Sequence, residues 1–337
     1  MELQEIGEFG LIARIKSYLP APPSFVRKGI GDDAAIASLS TGAELVSTVD
    51  LLVEGVHFDL SLTSAYLLGR KSLAVNLSDI AAMGAKPLFA LISLAIPART
   101  KVEFIDEFFK GFLSMAGAHG VYLIGGDTSS SPAKFFISVT LLGEGKKEIL
   151  IGRDGALPGD DLYVTGTLGD SILGLRLAQN RRGERTSSAE AFLWERHFNP
   201  TPRVDEGRAL TEGGLARAMI DVSDGLYSDL KHICEESRVG ATVWADRIPQ
   251  SAPLRLLAPA PAWQSALRGG EDYELLFTAA PEKAAEIMAL SREWECGVTC
   301  IGKVEPPVQG IVIREEGRQV DPELLKGYDH FVAQTSL

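Results

Sequence analysis

Residues 29–36 read GIGDDAAI, which sets Asp32 and Asp33 side by side among glycines and small apolar residues. Adjacent carboxylates repel, so the arrangement needs a compensating partner. Other acids lie at the ends of apolar runs, beside Gly, Ser or Thr. They are Asp50 in STVD, Asp127 in IGGDTSSSP, Asp221 and Asp224 in IDVSDGL, and Glu271 and Asp272 in GGEDYELLF. Asp79 stands inside the apolar stretch AVNLSDIAAMG, with Asn76 three residues before it and on the same helix face. Each acid taken singly has an ordinary reading: an Asp beside Gly is commonly a turn residue, and Ser223 or Asp224 could cap a following helix. Taken together they require too many unrelated excuses. Carboxylates gathered in a dry site stay charged only when paired or metal-bound, and these motifs hold few cations to pair them. Hard divalent cations, Mg²⁺ above all, resolve the repulsion, and such sites usually hold substrate phosphates between metal and protein.

The bases that could meet phosphate directly are few. Arg153, in IGRDGA, is the best placed, although a solvated linker charge is an equally ordinary reading. His57, in LLVEGVHFDL, follows the Asp50 segment and is close in sequence to the acids. Familiar nucleotide grips fail. GIGDDA matches the dinucleotide pattern G-x-G-x-x-A, but Pro-rich coil precedes it and two acids would repel a pyrophosphate. GVTCIGKV, at 297–304, ends on Val where a P-loop needs Ser or Thr.

The elements that must position these groups follow from periodicity. Helices are expected over 5–18, 64–83 and 102–118, and strands over 43–49, 88–96, 121–124 and 134–142. Residues 143–161 are dense in glycine and charge and read as a linker. A second series follows, with helices near 169–178, 203–212 and 224–236 and strands near 161–165, 218–222, 241–244, 274–278 and 297–304. Strands and helices mix in each half without strict alternation, which favours α/β or α+β domains over one doubly wound sheet. The length of 337 residues suggests two domains, placed at 1–148 and 149–337.

Composition narrows the class. Asp and Glu number 45 against 33 Lys and Arg, a net charge of −12, which argues against nucleic acid as a partner. No apolar run is long enough to span a membrane, and the acidic N-terminus is not a signal peptide. Three cysteines, Cys234, Cys296 and Cys300, suit reduced thiols and a cytoplasmic protein. Cys296 and Cys300 could pair or bind metal, but core or surface thiols fit better, since no further ligands complete a zinc set.

The motifs GEFGLI, GIGDDAA, STVD, EGVHF, KSLAVNLSDIAAMGA, IGGDT, GRDGALPGD, VTGTLGDS, IDVSDGLYSDLKHI, GGEDYELLFT and GYDHF, in this order, resemble those of the thiamine-monophosphate kinase family. NLSDIAAMGA and the D-x-S-D-G pattern alone would indicate only the wider aminoimidazole ribonucleotide synthetase-like superfamily. EGVHF, GGEDYELLF and GYDHF narrow it. The resemblance implies two α/β domains, a homodimer paired through the N-terminal sheet, and sites at the domain and subunit junction. It implies ATP-dependent phosphorylation of thiamine monophosphate with several Mg²⁺ ions and no catalytic general base. It further implies Asp33, Thr48, Asp50, Asp79, Asp127, Asp221 and Asp224 as metal ligands. Gly126, Asp127, Arg153 and Ser223 would meet ATP, and His57, Glu271 and Tyr328 would line the thiamine phosphate pocket. Relatives commonly carry a hydroxyl residue where Val49 stands, so either its backbone carbonyl serves or that metal site is weaker. Another ATP-dependent synthetase of the superfamily is the alternative activity, and a non-enzymatic Ca²⁺- or Mg²⁺-binding scaffold is the alternative class.

Overall fold

The computed structural model describes residues 3–30, 34–180 and 186–320. Contacts divide the chain into two units, Met1–Ile80 with Ala85–Leu150, and Ala81–Gly84 with Ile151–Leu337.

In chain order the first unit carries α1 (Leu3–Tyr18), β1 (Val26–Lys28), β2 (Ile36–Ala37), β3 (Glu44–Val53), α2 (Ala65–Ala82, its last residues counted with the second unit), β4 (Lys86–Pro97), α3 (Val102–Ala118), β5 (Tyr122–Ser131) and β6 (Phe136–Gly145). Four strands make one sheet in the order β3-β6-β4-β5, with β4 and β5 parallel and the other neighbours antiparallel. Alternation in β6 sorts its two faces: Ile137, Val139 and Leu141 are buried, while Phe136, Ser138, Thr140 and Leu142 are half-exposed. The buried face packs under α2 and α3. Helix α3 offers Val102, Ile105, Phe108, Phe109, Phe112, Met115 and Ala116 to that core at helical spacing. Helices α2 and α3 meet backbone to backbone. A Cβ at Gly69 would lie 1.9 Å from the Phe108 carbonyl oxygen, and one at Gly111 1.8 Å from that of Tyr66. The other face of β3 stays open, with Leu45, Val49 and Leu51 between 55% and 62% exposed.

The second unit carries β7 (Asp161–Thr165), α4 (Asp170–Asn180), α5 (Ser188–Phe198), α6 (Val204–Glu212), β8 (Ala218–Asp221), α7 (Leu226–Ser237), β9 (Gly240–Trp244), α8 (Ala252–Leu257), α9 (Trp263–Arg268), β10 (Leu275–Ala279), α10 (Ala284–Leu290), β11 (Val298–Glu305), β12 (Ile311–Glu315) and β13 (Arg318–Gln319). Its sheet runs β13-β12-β9-β11-β7-β10-β8, antiparallel throughout except for the β12–β9 pair. Val164, Ile220, Val243, Leu276 and Ile301 from five of these strands join Leu226, Leu230 and Ile233 of α7 in one core. All three cysteines are free thiols.

The mixed α/β architecture is as expected, but several boundaries differ. Strand β3 continues to Val53, so Asp50 lies inside a strand rather than at its end. Strand β5 runs through GGDTSSS, so Asp127 is also a strand residue and not part of a turn. Strand β6 extends to Gly145, into the expected linker. Helix α5, where no element was expected, fills 188–198.

Candidate active site

Strand β3 points Thr48 and Asp50 to the helix-covered side of its sheet, where Asp79 projects from α2. The Thr48 hydroxyl donates to Asp79 Oδ2. Burial, and then the charge of Asp79, push the Asp50 carboxyl up to about 7. Asn76, fully buried on the same face of α2, spends its amide N–H on Ser72, while its Oδ1 has no partner among the described residues. The two carboxylates and the Thr48 hydroxyl are oxygen donors of the kind that suits Mg²⁺, which takes one or two carboxylates and fills its other positions from water and phosphate. Among the described residues no three His, Cys, Asp or Glu side chains gather tightly enough to hold an ion unaided.

Val49 takes no side-chain part, because strand alternation turns it to the open face, 62% exposed. His57 accepts a hydrogen bond at Nδ1 from the Val53 amide, 3.0 Å away. That bond fixes the neutral ring as the Nε2–H tautomer.

Gly126 and Asp127 lie on the far edge strand. Register places Asp50, Val139, Ile92 and Gly126 in one line across the four strands, and Leu51, Ser138, Ser93 and Asp127 in the next. Three interstrand spacings, roughly 14 Å, therefore separate the backbones of Asp50 and Asp127. The two side chains also leave opposite faces. Asp50 lies within reach of the charge of Asp79, whereas Asp127 stands apart on the open face of the sheet. Gly126 is required by its contact, since a Cβ there would lie 1.9 Å from the Ile92 carbonyl oxygen. Asp33 and Tyr328 fall outside the described residues.

In the second unit β8 ends at Asp221, and Ser223 and Asp224 make the turn into α7. Neither Ser223 nor Asp224 caps that helix. Instead Asp229 Oδ2 accepts the backbone N–H groups of Ser223, Asp224 and Gly225, each at 3.1 Å. Burial, and then the charges of Asp221 and Asp224, push Asp229 up to about 8. The motif reading missed Asp229; the signal for it was an acid in the first turn of a helix opened by Gly. Arg153 is exposed, and its carbonyl is held by the Ser237 hydroxyl at 2.6 Å.

The GGEDYE segment lies against this turn. Glu271 N–H donates to the Ser223 carbonyl at 2.7 Å, Tyr273 N–H to that of Val222 at 2.9 Å, and Val222 N–H to that of Glu274 at 2.7 Å. A Cβ at Gly270 would lie 2.3 Å from the Ser223 carbonyl oxygen, so only glycine admits the approach. Glu271 and Tyr273 adopt φ of 64° and 52°. Such left-handed backbone at non-glycine residues is costly and persists where the surroundings over-determine it. Those surroundings are the other two acids. Asp272 accepts from the Gly169 and Ser171 amides at the start of α4, at 2.6 and 3.1 Å. Glu274 takes both guanidinium nitrogens of Arg203, at 2.7 and 2.6 Å, with Arg196 at 2.8 Å and Thr165 at 2.7 Å. Burial would raise the Glu274 carboxyl, but Arg203 and Arg196 hold it below the usual carboxylate range. Asp272 and Glu274 anchor the loop, which leaves Glu271, with a side chain 28% exposed, half-buried beside the Ser223 turn.

Residues 31–144 match the family model described as AIR synthase related protein, N-terminal domain, and residues 158–314 match its C-terminal counterpart. The thiamine-monophosphate kinase of Escherichia coli strain K12 is 40% identical over 332 residues, covering 96% of this chain and 98% of that protein. The chain belongs to the thiamine-monophosphate kinase family. Among solved structures, the thiamine-monophosphate kinase of Stenotrophomonas maltophilia K279a superimposes with a TM-score of 0.83 at 40% identity, over 94% of this chain and 98% of that one. AaThiL, complexed with AMPPCP and TMP, gives a TM-score of 0.75 at 37% identity, over 98% and 99% of the two chains. The family relationship thus spans both units.

Proposed function

We propose that this chain transfers the terminal phosphoryl group of ATP to thiamine monophosphate, giving thiamine diphosphate and ADP. The observation that carries the reading is the near full-length relationship to thiamine-monophosphate kinases, one of them solved with an ATP analogue and TMP. The nucleophile is a phosphate oxygen of thiamine monophosphate. The second ionisation of a phosphate monoester lies near pH 6, so it is already a dianion at neutral pH and needs no base. The obstacle is mutual repulsion of two polyanions, about 4 kcal/mol for each pair of unit charges 4 Å apart at an effective dielectric of 20.

Thr48, Asp50 and Asp79 would hold Mg²⁺ in the first unit, Asp127 a separate ion on the open face of its sheet, and Asp221 and Asp224 ions in the second, with Asp33 as a further ligand. When bound, the ions would supply positive charge that offsets the repulsion between the two phosphates. The remaining work is positioning. Gly126, Asp127, Ser223 and the solvent-facing Arg153 hold the nucleotide. His57, Glu271 and Tyr328 line the thiamine monophosphate pocket, with the Glu271 carboxylate and the Tyr328 aromatic face suited to a cationic thiazolium. The N-terminal domain, 1–148, would carry the dimer contacts with its share of the ATP and metal contacts, and the C-terminal domain, 149–337, the others. The open face of β3, with Leu45, Val49 and Leu51 exposed, supports a homodimer formed through this sheet. No helix among the described residues is long and apolar enough to cross a membrane, and thiamine diphosphate synthesis from ATP suits the cytoplasm.

The deciding experiment is ADP release from Mg·ATP with and without thiamine monophosphate, with the phosphorylated product identified. Release that depends on thiamine monophosphate and yields thiamine diphosphate is expected. Release at the same rate without it, or with a formyl-amidine nucleotide in its place, overturns the reading.

A further inference from the structure

The GGEDYE loop leaves one question: its backbone and two of its acids are anchored, yet the Glu271 carboxylate must also be aimed. His197, the penultimate residue of α5 and 3% exposed, places Nδ1 3.3 Å from Glu271 Oε2. The same nitrogen lies 2.9 Å from the hydroxyl of Ser171 on α4. Phe198 packs edge-on against the imidazole, with centroids 4.6 Å apart at 86°, so the ring plane is fixed as well. Ser171 also donates its backbone N–H to Asp272, the neighbour of Glu271, so one turn of α4 orients both residues of the Glu-Asp pair.

We propose that His197, backed by Ser171, is the positioning residue for Glu271: it fixes one carboxylate oxygen so that the other meets the cationic heterocycle of thiamine monophosphate. The inference rests on the reading of Glu271 as a substrate contact and adds to it His197, which lies outside every motif quoted above, with Ser171, the last residue of VTGTLGDS, behind it. An imidazole N–H shared between a hydroxyl and a carboxylate holds the carboxylate without neutralising it. The negative charge thus remains to attract the cation, while the buried ring removes the rotamer freedom that Glu271 would otherwise lose on binding.

The test is steady-state kinetics of the full chain as His197→Leu, His197→Asn, Glu271→Ala and the His197→Leu/Glu271→Ala double variant. His197→Leu should raise KM for thiamine monophosphate about tenfold, the scale of one hydrogen bond to a charged group. KM for ATP should change much less. His197→Asn keeps an amide N–H near the Nδ1 position and should recover most of the loss. The double variant should be no worse than Glu271→Ala alone, because both changes remove one interaction. Equal rises in both KM values, no recovery by Asn, or additive losses would reduce His197 to a packing residue. Unchanged KM for thiamine monophosphate in Glu271→Ala would remove the reading of Glu271 itself; a raised KM there beside a normal His197→Leu would remove only the positioning role. Should His197→Leu fail to fold, Ser171→Ala must shift the same KM in the same direction, and an unshifted value overturns the proposal.

Discussion

At the scale of single residues, Asp50 and Asp79 are close enough for one charge to act on the other. Asp50 is held near 7 by burial and by Asp79, so the pair carries a proton for part of its time at neutral pH unless a cation displaces it. Asp79→Asn should lower activity by at least about tenfold, and raised Mg²⁺ should recover part of it, as a lost ligand weakens but does not abolish binding. A Mg²⁺ titration of initial rates checks this; full activity at ordinary Mg²⁺ removes Asp79 from the ligand set. Asp229 supplies the pH dependence. Its folded value, about 8, lies above the unfolded carboxylate value. The native state therefore binds the extra proton between those values, and stability falls as pH rises through that window. Asp50 and Asp272, both pushed up to about 7, act with the same sign. In chelator, thermal midpoints should fall from pH 5 to pH 9, and Asp229→Asn should flatten but not abolish the slope. Identical slopes would show that Asp229 is not protonated in the fold. The Asp50–Asp79 pair could be anticipated, because acids inside apolar runs are unusual. Asp229 and His197 could not: one looks like an ordinary first-turn acid, and the other earns its role only from partners 26 and 74 residues away.

Between elements, the close crossing of α2 and α3 fixes where Asp79 sits over the sheet. Gly69→Ala would drive a methyl into the Phe108 carbonyl and should cost about 1–3 kcal/mol, the range for overpacking. Gly117→Ala, in the same α3 but with open space around the added Cβ, should instead stabilise by about 0.4–1 kcal/mol. Chemical denaturation of the two variants checks the contrast; equal effects would mean that helix propensity, not the crossing, governs this region. Elements with a clean period were readable residue by residue: Val102–Ala118 and Asp161–Thr165 have the expected bounds. Helix α5 was not, because two of its four buried residues are Glu190 and His197 and its apolar stripe is correspondingly thin. Strand β5 was cut short because GGDTSSS has poor strand propensity; its pairing with β4 from Tyr122 to Ser131 overrides that preference.

For the whole molecule, the open face of β3 is the feature that a second copy would cover. Val49→Glu with Leu51→Glu should shift the sedimentation of the protein from dimer to monomer, since two charges cannot be buried there unpaired. An unchanged dimer would place the interface elsewhere. Family membership and two-domain organisation were readable from motif order alone. The separation of Asp127 from Asp50 was not, because it depends on strand order, which local sequence does not state.

Strand β3 also has a parity. Thr48 and Asp50 serve the helix-covered side only because alternate residues go to alternate faces. Deleting or inserting one residue between Glu44 and Ser47, with the start of the strand held in register, would exchange the two sets, burying Val49 and turning the Thr48 and Asp50 side chains to the open face. Length variation in this segment is thus quantised: a screen of random indels should recover active clones only where the change is even, and single-residue steps should be missing from the survivors.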